Sequence, residues 1–162
     1  MKATMLWAIV LSCAVVGASL PGEEGELAGR MRVADGDTLR LGPRRVRLFG
    51  IDAPEIAQVC RVRDIEYRCG IEATKALKAL IGEATVRCRR RAMDRYGRVV
   101  AVCWAGEVDL GRAMVRSGWA VAYTSYSRIY LREQELARKA KRGLWRGEFE
   151  PPADYRHGHP RQ

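Results

Sequence analysis

The sequence predicts an α+β fold, a small five-stranded barrel with three helices packed on it, and three observations predict it. Short strand-like runs come three in a row before residue 52, a helical apolar pattern follows, and a hairpin with two further helical patterns completes the chain by about residue 145. The 162 residues have room for one compact core. Hydrophobic residues at 48% and charged residues at 30% are ordinary globular usage, which excludes a disordered chain and a multi-span membrane protein.

The amino end reads as a leader. Lys2 precedes the apolar run Met5 to Val16 and then small residues, with Val16 and Ala18 fitting cleavage after Ala18, so residues 1–18 are expected to be a signal peptide. The run is shorter than the ~20 residues a membrane span needs, so no span is expected in the mature chain. Export to the periplasm or the medium follows as an expectation. Removing Lys2 and no acid lowers the net charge from +10 to +9 and leaves Cys60, Cys69, Cys88 and Cys103. An even cysteine count in an exported chain predicts two disulfides.

Residues 19–26 form a Gly- and Glu-rich lead-in, residues 27–146 the folded domain, and residues 147–162 a tail whose Pro151-Pro152 start predicts a frayed end. Within the domain, Leu27 to Val33, Thr38 to Leu41 and Arg44 to Ile51 are strands separated by Asp35-Gly36-Asp37 and Gly42-Pro43. In the third strand Val46 and Leu48 alternate with Arg45 and Arg47, which makes one face apolar and the other cationic. Ala73, Ala76, Leu77, Leu80 and Ile81 have helical spacing and stop at Gly82.

Residues 84–90 and 98–104 alternate as strands around a turn at Asp94 to Gly97, and counting outward from that turn sets Cys88 opposite Cys103. The predicted bridges are therefore Cys88 to Cys103 and Cys60 to Cys69. Asp109 caps a helix carrying Leu110, Ala113 and Met114; a third helix runs from about Ser127 to Lys141 with Leu136, Ala137 and Ala140 inward. Five strands with one helix between the third and the fourth make a Greek-key β-barrel of the OB type with three α-helices.

Twenty-nine Lys and Arg against nineteen Asp and Glu suit a polyanionic partner. Three polar segments carry the candidate chemistry: Asp35-Gly36-Asp37-Thr38, Arg47 to Glu55, and Asp94-Arg95-Tyr96-Gly97-Arg98. Singly, each is also a good turn or strand end. In this order, and over about residues 27–145, they resemble the staphylococcal nuclease (thermonuclease) family: an aspartate-glycine-aspartate turn, an arginine five residues before an aspartate, a proline-glutamate pair and a tyrosine-glycine-arginine turn.

The resemblance implies a Ca²⁺-dependent nuclease that hydrolyses phosphodiester bonds of DNA and RNA, single-stranded or frayed by preference, by in-line attack of water to leave 3′-phosphates. It implies that Asp37, Asp52 and the main-chain carbonyl of Ala53 hold Ca²⁺, a hard cation that takes oxygen donors. The best-known member has threonine where Ala53 stands, a change that a carbonyl ligand survives. Glu55 takes the place of a general base for the attacking water. Arg47 and Arg98 take the places of the guanidinium forks that flank the phosphate, and Tyr96 and Tyr123 are candidate substrate contacts. A monomer is expected. The alternatives are a catalytically silent nucleic-acid-binding module on the same fold and a cationic envelope protein that binds acidic polymers.

Overall fold

The computed structural model of the protein describes residues 25–159. The predicted signal peptide and its cleavage point lie outside the described residues. In chain order the first elements are β1 (Glu26–Gly29), β2 (Arg32–Val33), β3 (Thr38–Leu41), β4 (Arg44–Leu48), β5 (Ile51–Asp52), β6 (Cys60–Val62), β7 (Ile65–Tyr67) and α1 (Cys69–Ile81). There follow β8 (Val86–Met93), β9 (Val99–Ala105), β10 (Val108–Asp109), α2 (Leu110–Arg116), β11 (Val121–Ala122) and α3 (Leu131–Lys139). A 3₁₀ turn, Gly143–Arg146, and α4 (Pro152–Gly158) complete the order.

The class is α+β, as predicted, with a curled half-barrel sheet at its centre. The counts differ from five and three. Seven strands share one sheet in the order β1-β8-β9-β4-β3-β2 with β10 beside β9, and β5/β11 and β6/β7 are separate ribbons. The chain from Leu27 to Val33 makes two strands because its halves have different partners: β1 pairs with β8, and β2 with β3. All pairs in the sheet are antiparallel except β4 with β9, which run parallel.

The alternation read in β4 is realised. Val46 and Leu48 are buried with Leu39 of β3, and Arg45 and Arg47 lie on the other face. Behind the sheet, Ala73, Leu77 and Ile81 of α1 and Leu110, Met114 and Val115 of α2 close the core. Asp109 caps α2 by accepting the Arg112 amide at 3.0 Å.

In the hairpin Cys88 does face Cys103, and both predicted disulfides are present. The register arrives there by two offsets that cancel. Asp94 pairs with Arg98, one residue later than counted, and a bulge between Arg90 and Ala92 takes up the extra residue.

The third helix starts four residues later than expected, and Leu136 and Ala140 point to solvent. Ala137 is buried as expected, and its companion on the buried face is Glu133. Polar partners explain this: Glu133 pairs with Arg112 at 2.8 Å, and the Gln134 side-chain oxygen accepts the Ala122 amide at 2.8 Å.

The tail is not a frayed end. Residues 61 and 148 exchange main-chain hydrogen bonds of 2.9 and 2.7 Å, Trp145 and Phe149 meet edge to face, and buried Pro152 opens α4. Proline belongs in a first helical turn, where its missing N–H is not needed, so Pro151-Pro152 starts an element.

Candidate active site

The turn before β3, the strand β4 and the short β5 bring three of the predicted residues into one buried cluster. Arg47 sits between two carboxylates: Nη1 is ion-paired with Asp37 Oδ1, and Nη2 donates to Asp52 Oδ1 at 2.7 Å and to the Ile51 carbonyl at 3.3 Å. Asp37 is 4% exposed and Asp52 1%. Asp37 Oδ2 accepts the Ala53 amide at 2.9 Å, and its Oδ1 accepts the Thr38 hydroxyl at 3.1 Å.

The turn that delivers Asp37 is itself folded locally. Asp35 Oδ1 accepts the Asp37 amide at 3.1 Å, and Gly36 fits between Ala53 and Ala73 where a Cβ would come within 2.7 and 2.9 Å of theirs. A side chain at 36 would push the Asp37 turn away from the Ala53 loop.

Glu55 lies on the loop after β5. Its amide donates to the buried Gln58 side-chain oxygen at 3.2 Å, and its carbonyl accepts the Gln58 amide at 2.8 Å. Gly70 at the start of α1 packs so closely that a Cβ there would lie 1.8 Å from the Glu55 carbonyl oxygen. Gln58 Nε2 then donates to the Glu150 carbonyl at 2.7 Å, which ties the Glu55 loop to the tail.

The tail supplies a residue that the sequence reading missed. Arg156 of α4 sets Nη1 and Nη2 on the two oxygens of Asp52, both at 2.9 Å, and Nη1 also meets Glu55 Oε1 at 3.2 Å. The signal was available: a proline at a helix start, Asp154 in the first turn and Arg156 in the last describe a short dipole-matched helix. Gln58 had no such signal, because a buried amide is indistinguishable in sequence from a surface one.

Charge and burial oppose one another here. Burial would raise the Asp37 carboxyl, but the Arg47 guanidinium, the Ala53 amide and the Thr38 hydroxyl hold it below the ordinary carboxylate value. Burial raises Asp52 despite its bonds from Arg156, with the charge of Asp37 adding to the rise. Asp35 is pushed up to about 6 by burial and by the negative charge of Asp37. Both arginines are held above their usual value by these carboxylates in spite of burial.

Arg98 and the tyrosines are held by other neighbours. Arg98 Nε pairs with Asp94 Oδ2 at 2.7 Å inside its own turn, and its guanidinium and that of Arg95 lie 5.4 and 4.9 Å from the exposed Tyr96 ring. The Tyr123 amide donates to the Gly50 carbonyl at 2.9 Å, and its ring lies 5.0 Å from that of exposed Tyr126.

Among the described residues no three His, Cys, Asp or Glu side chains converge as a ready-made metal cage. The donor chemistry nonetheless suits a hard divalent cation: the Asp37 and Asp52 carboxylates are both paired with Arg47, Ala53 follows Asp52 in the chain, and Arg156 supplies positive charge at that place.

Residues 45–147 match the family described as staphylococcal nuclease homologue. The chain belongs to that family. It is 37% identical to the succinoglycan biosynthesis protein ExoI of Rhizobium meliloti over 133 residues, which cover 80% of this chain and 70% of that one. It is 36% identical to an uncharacterized endonuclease of Haemophilus influenzae, covering 71% and 64%, and 35% identical to one of Escherichia coli, covering 82% and 86%. As a staphylococcal nuclease homologue the protein is a hydrolase of the nuclease class, a binder of nucleic acid, and a member of a family that is generally metal-dependent. Among its described residues no helix is long and apolar enough to cross a membrane.

Proposed function

We propose that the protein is an exported, monomeric nuclease of the periplasm or medium that hydrolyses DNA and RNA phosphodiester bonds with Ca²⁺ and leaves 3′-phosphates. The observation that carries this reading is the pair of buried carboxylates, Asp37 and Asp52, bridged by Arg47 beside the Glu55 loop. Endonuclease-named relatives of similar length support it over a silent binding module.

Asp37, Asp52 and the Ala53 carbonyl hold the cation, which when bound neutralises charge gathering on the phosphoryl oxygens. Glu55 takes a proton from the attacking water. Arg47, fixed between its two carboxylates, presents its remaining N–H groups to the phosphate. Arg98 reaches the same group from the hairpin once phosphate competes with Asp94 for its fork, with Tyr96 and Tyr123 against the sugar or base.

Single-turnover cleavage of a plasmid and of an RNA, with Ca²⁺ and then with chelator, tests the reading. Glu55→Gln keeps shape and removes the base, so its rate should fall about 10²- to 10⁴-fold at saturating Ca²⁺. Cleavage by Glu55→Gln at nearly the wild-type rate would remove Glu55 from the mechanism, and chelator-resistant cleavage would remove the metal.

A further inference from the structure

We infer that Arg32, Arg40 and Arg45 form a phosphate track that carries a single-stranded polynucleotide across the sheet, outside the carboxylate cluster; this rests on the nuclease reading and extends it. The register puts them in one row. Arg32 is opposite Arg40 across β2/β3, and Arg40 is opposite Arg45 across β3/β4. Directly opposed residues share a face, so all three lie on the face of Thr38 and Arg47, the pair two places along the same strands.

Arg98 continues the row. Val100 of β9 is opposite Arg47, and Arg98, two residues earlier, falls on the same face. Four strands at ~4.8 Å spacing make the row about 14 Å long, enough to meet successive phosphates of one strand.

Like charges directly opposite one another destabilise a sheet. Among the described residues Arg32, Arg40 and Arg45 have no carboxylate partner, and Arg45 Nε is buried without a hydrogen-bond acceptor. The opposite face of the same strands holds buried Leu39, Val46 and Leu48, so the arginines are not needed for the core. Three unneutralised guanidiniums in register, leading to Arg47 and Arg98, match the repeating charge of a phosphodiester chain.

The test is binding of a 20-nucleotide single strand by fluorescence anisotropy, in chelator, across a salt series. The triple variant Arg32→Gln, Arg40→Gln, Arg45→Gln should bind at least tenfold more weakly, with a salt slope shallower by about 2, since each phosphate contact on a single strand contributes ~0.7. Its melting temperature should hold or rise. A control with the same charge loss elsewhere, Arg116→Gln, Arg138→Gln, Lys139→Gln, should bind within threefold of wild type. Equal losses in the two variants, or no loss in the first, overturn the track and leave the nuclease reading standing. Failure of the wild type to bind any polynucleotide overturns both.

A separate observation carries a second inference: Arg156 is a built-in cation for the carboxylate site, holding Asp52 and Glu55 until a divalent ion takes their oxygens. Its fork covers both oxygens of Asp52, a residue 1% exposed, while Arg156 itself is 29% exposed and stands on a short terminal helix. An ion that ligates Asp52 competes with the Arg156 guanidinium for the charge of one carboxylate, whose Oδ1 already accepts from Arg47 and Arg156 and whose Oδ2 accepts from Arg156. This too rests on the metal reading.

Ca²⁺ titration by calorimetry, without nucleic acid, on wild type, Arg156→Gln and Arg156→Lys tests it. Competition predicts that Arg156→Gln binds Ca²⁺ about tenfold more tightly, with Arg156→Lys between. A merely structural arginine predicts the reverse, so unchanged or weaker binding by either variant, folded as judged by circular dichroism, overturns the inference. A wild type that binds no divalent ion overturns it together with the Ca²⁺ proposal.

Discussion

Arg47 and Asp37 are joined twice, through the sheet and through their side chains. The Leu48 amide, next to Arg47, donates to the Asp37 carbonyl at 2.8 Å, and the Arg47 guanidinium is ion-paired with the Asp37 carboxylate. Strand register therefore fixes the distance over which the ion pair forms. The same guanidinium holds Asp52, so one cation separates two buried anions.

Removing that cation leaves buried charge without compensation. Arg47→Met should destabilise the metal-free protein by about 3 to 5 kcal/mol, the usual loss when one partner of a buried pair is deleted. Arg47→Lys keeps the charge but offers one nitrogen where two carboxylates accept from two, so it should recover only part. Urea unfolding of the three proteins in chelator measures this, and a midpoint for Arg47→Met within experimental scatter of wild type would show that the carboxylates do not depend on Arg47.

The two disulfides should differ in reach. Each closes a short loop, and replacing either pair with serines should cost about 3 kcal/mol. Cys60 opens β6, whose Arg61 exchanges main-chain bonds with Glu148, and Leu144 and Phe149 cover the bridge. Cys60→Ser/Cys69→Ser should therefore speed amide exchange at Glu148 and along α4. Cys88→Ser/Cys103→Ser, inside the β8/β9 pair, should leave the tail protected. Equal exchange rates in the two variants would separate the tail from the Cys60–Cys69 bridge.

What the sequence made legible follows from locality. The Asp37 turn, the Arg47 face of β4 and the Cys88–Cys103 register each depend on residues within one hairpin or one strand, where a period of two fixes the faces. Arg156 lies 104 residues from Asp52, and Gln58 meets Glu150 across 92. No local period encodes such contacts. Leu136 shows the converse: helical spacing marked it as core, but buried Glu133 and half-buried Gln134 had partners waiting on α2 and β11, and the helix turned that face inward.

The Arg98 turn should respond to acid. Burial opposes the charge of Asp94, but the amide and guanidinium of Arg98 and the Tyr96 amide together outweigh it and hold its carboxyl below the ordinary value. A lowered folded pKa means that the stability it gives is complete above the unfolded value near 3.8 and is lost as pH falls through the folded one. Asp94→Asn should remove that dependence, and the lost turn bonds should cost ~1 kcal/mol at neutral pH. Carboxyl chemical shifts followed from pH 6 to pH 2 test the direction; a midpoint for Asp94 above 3.8 would contradict it.

Gly36→Ala tests how tightly the Asp37 turn must nest. Gly36 has no left-handed backbone that alanine would resist, so the effect is one of contact alone: the new methyl would stand 2.7 Å from the Ala53 Cβ and 2.9 Å from the Ala73 Cβ. Neither neighbour can yield easily. Ala73 is fully buried in α1, and the Ala53 amide is bonded to Asp37 Oδ2. Overpacking of this kind typically costs about 1 to 3 kcal/mol. It should also part the Ala53 amide from Asp37, which removes one of the bonds holding that carboxyl low and separates two of the proposed Ca²⁺ ligands. A double-mutant cycle with Ala53→Gly makes the cause specific, because deleting the facing methyl should relieve part of the strain and give a coupling of about 0.5 to 3 kcal/mol. Urea unfolding gives the energies and calorimetry the Ca²⁺ affinity. Additive effects of the two substitutions would mean that Gly36 matters for something other than room between Ala53 and Ala73.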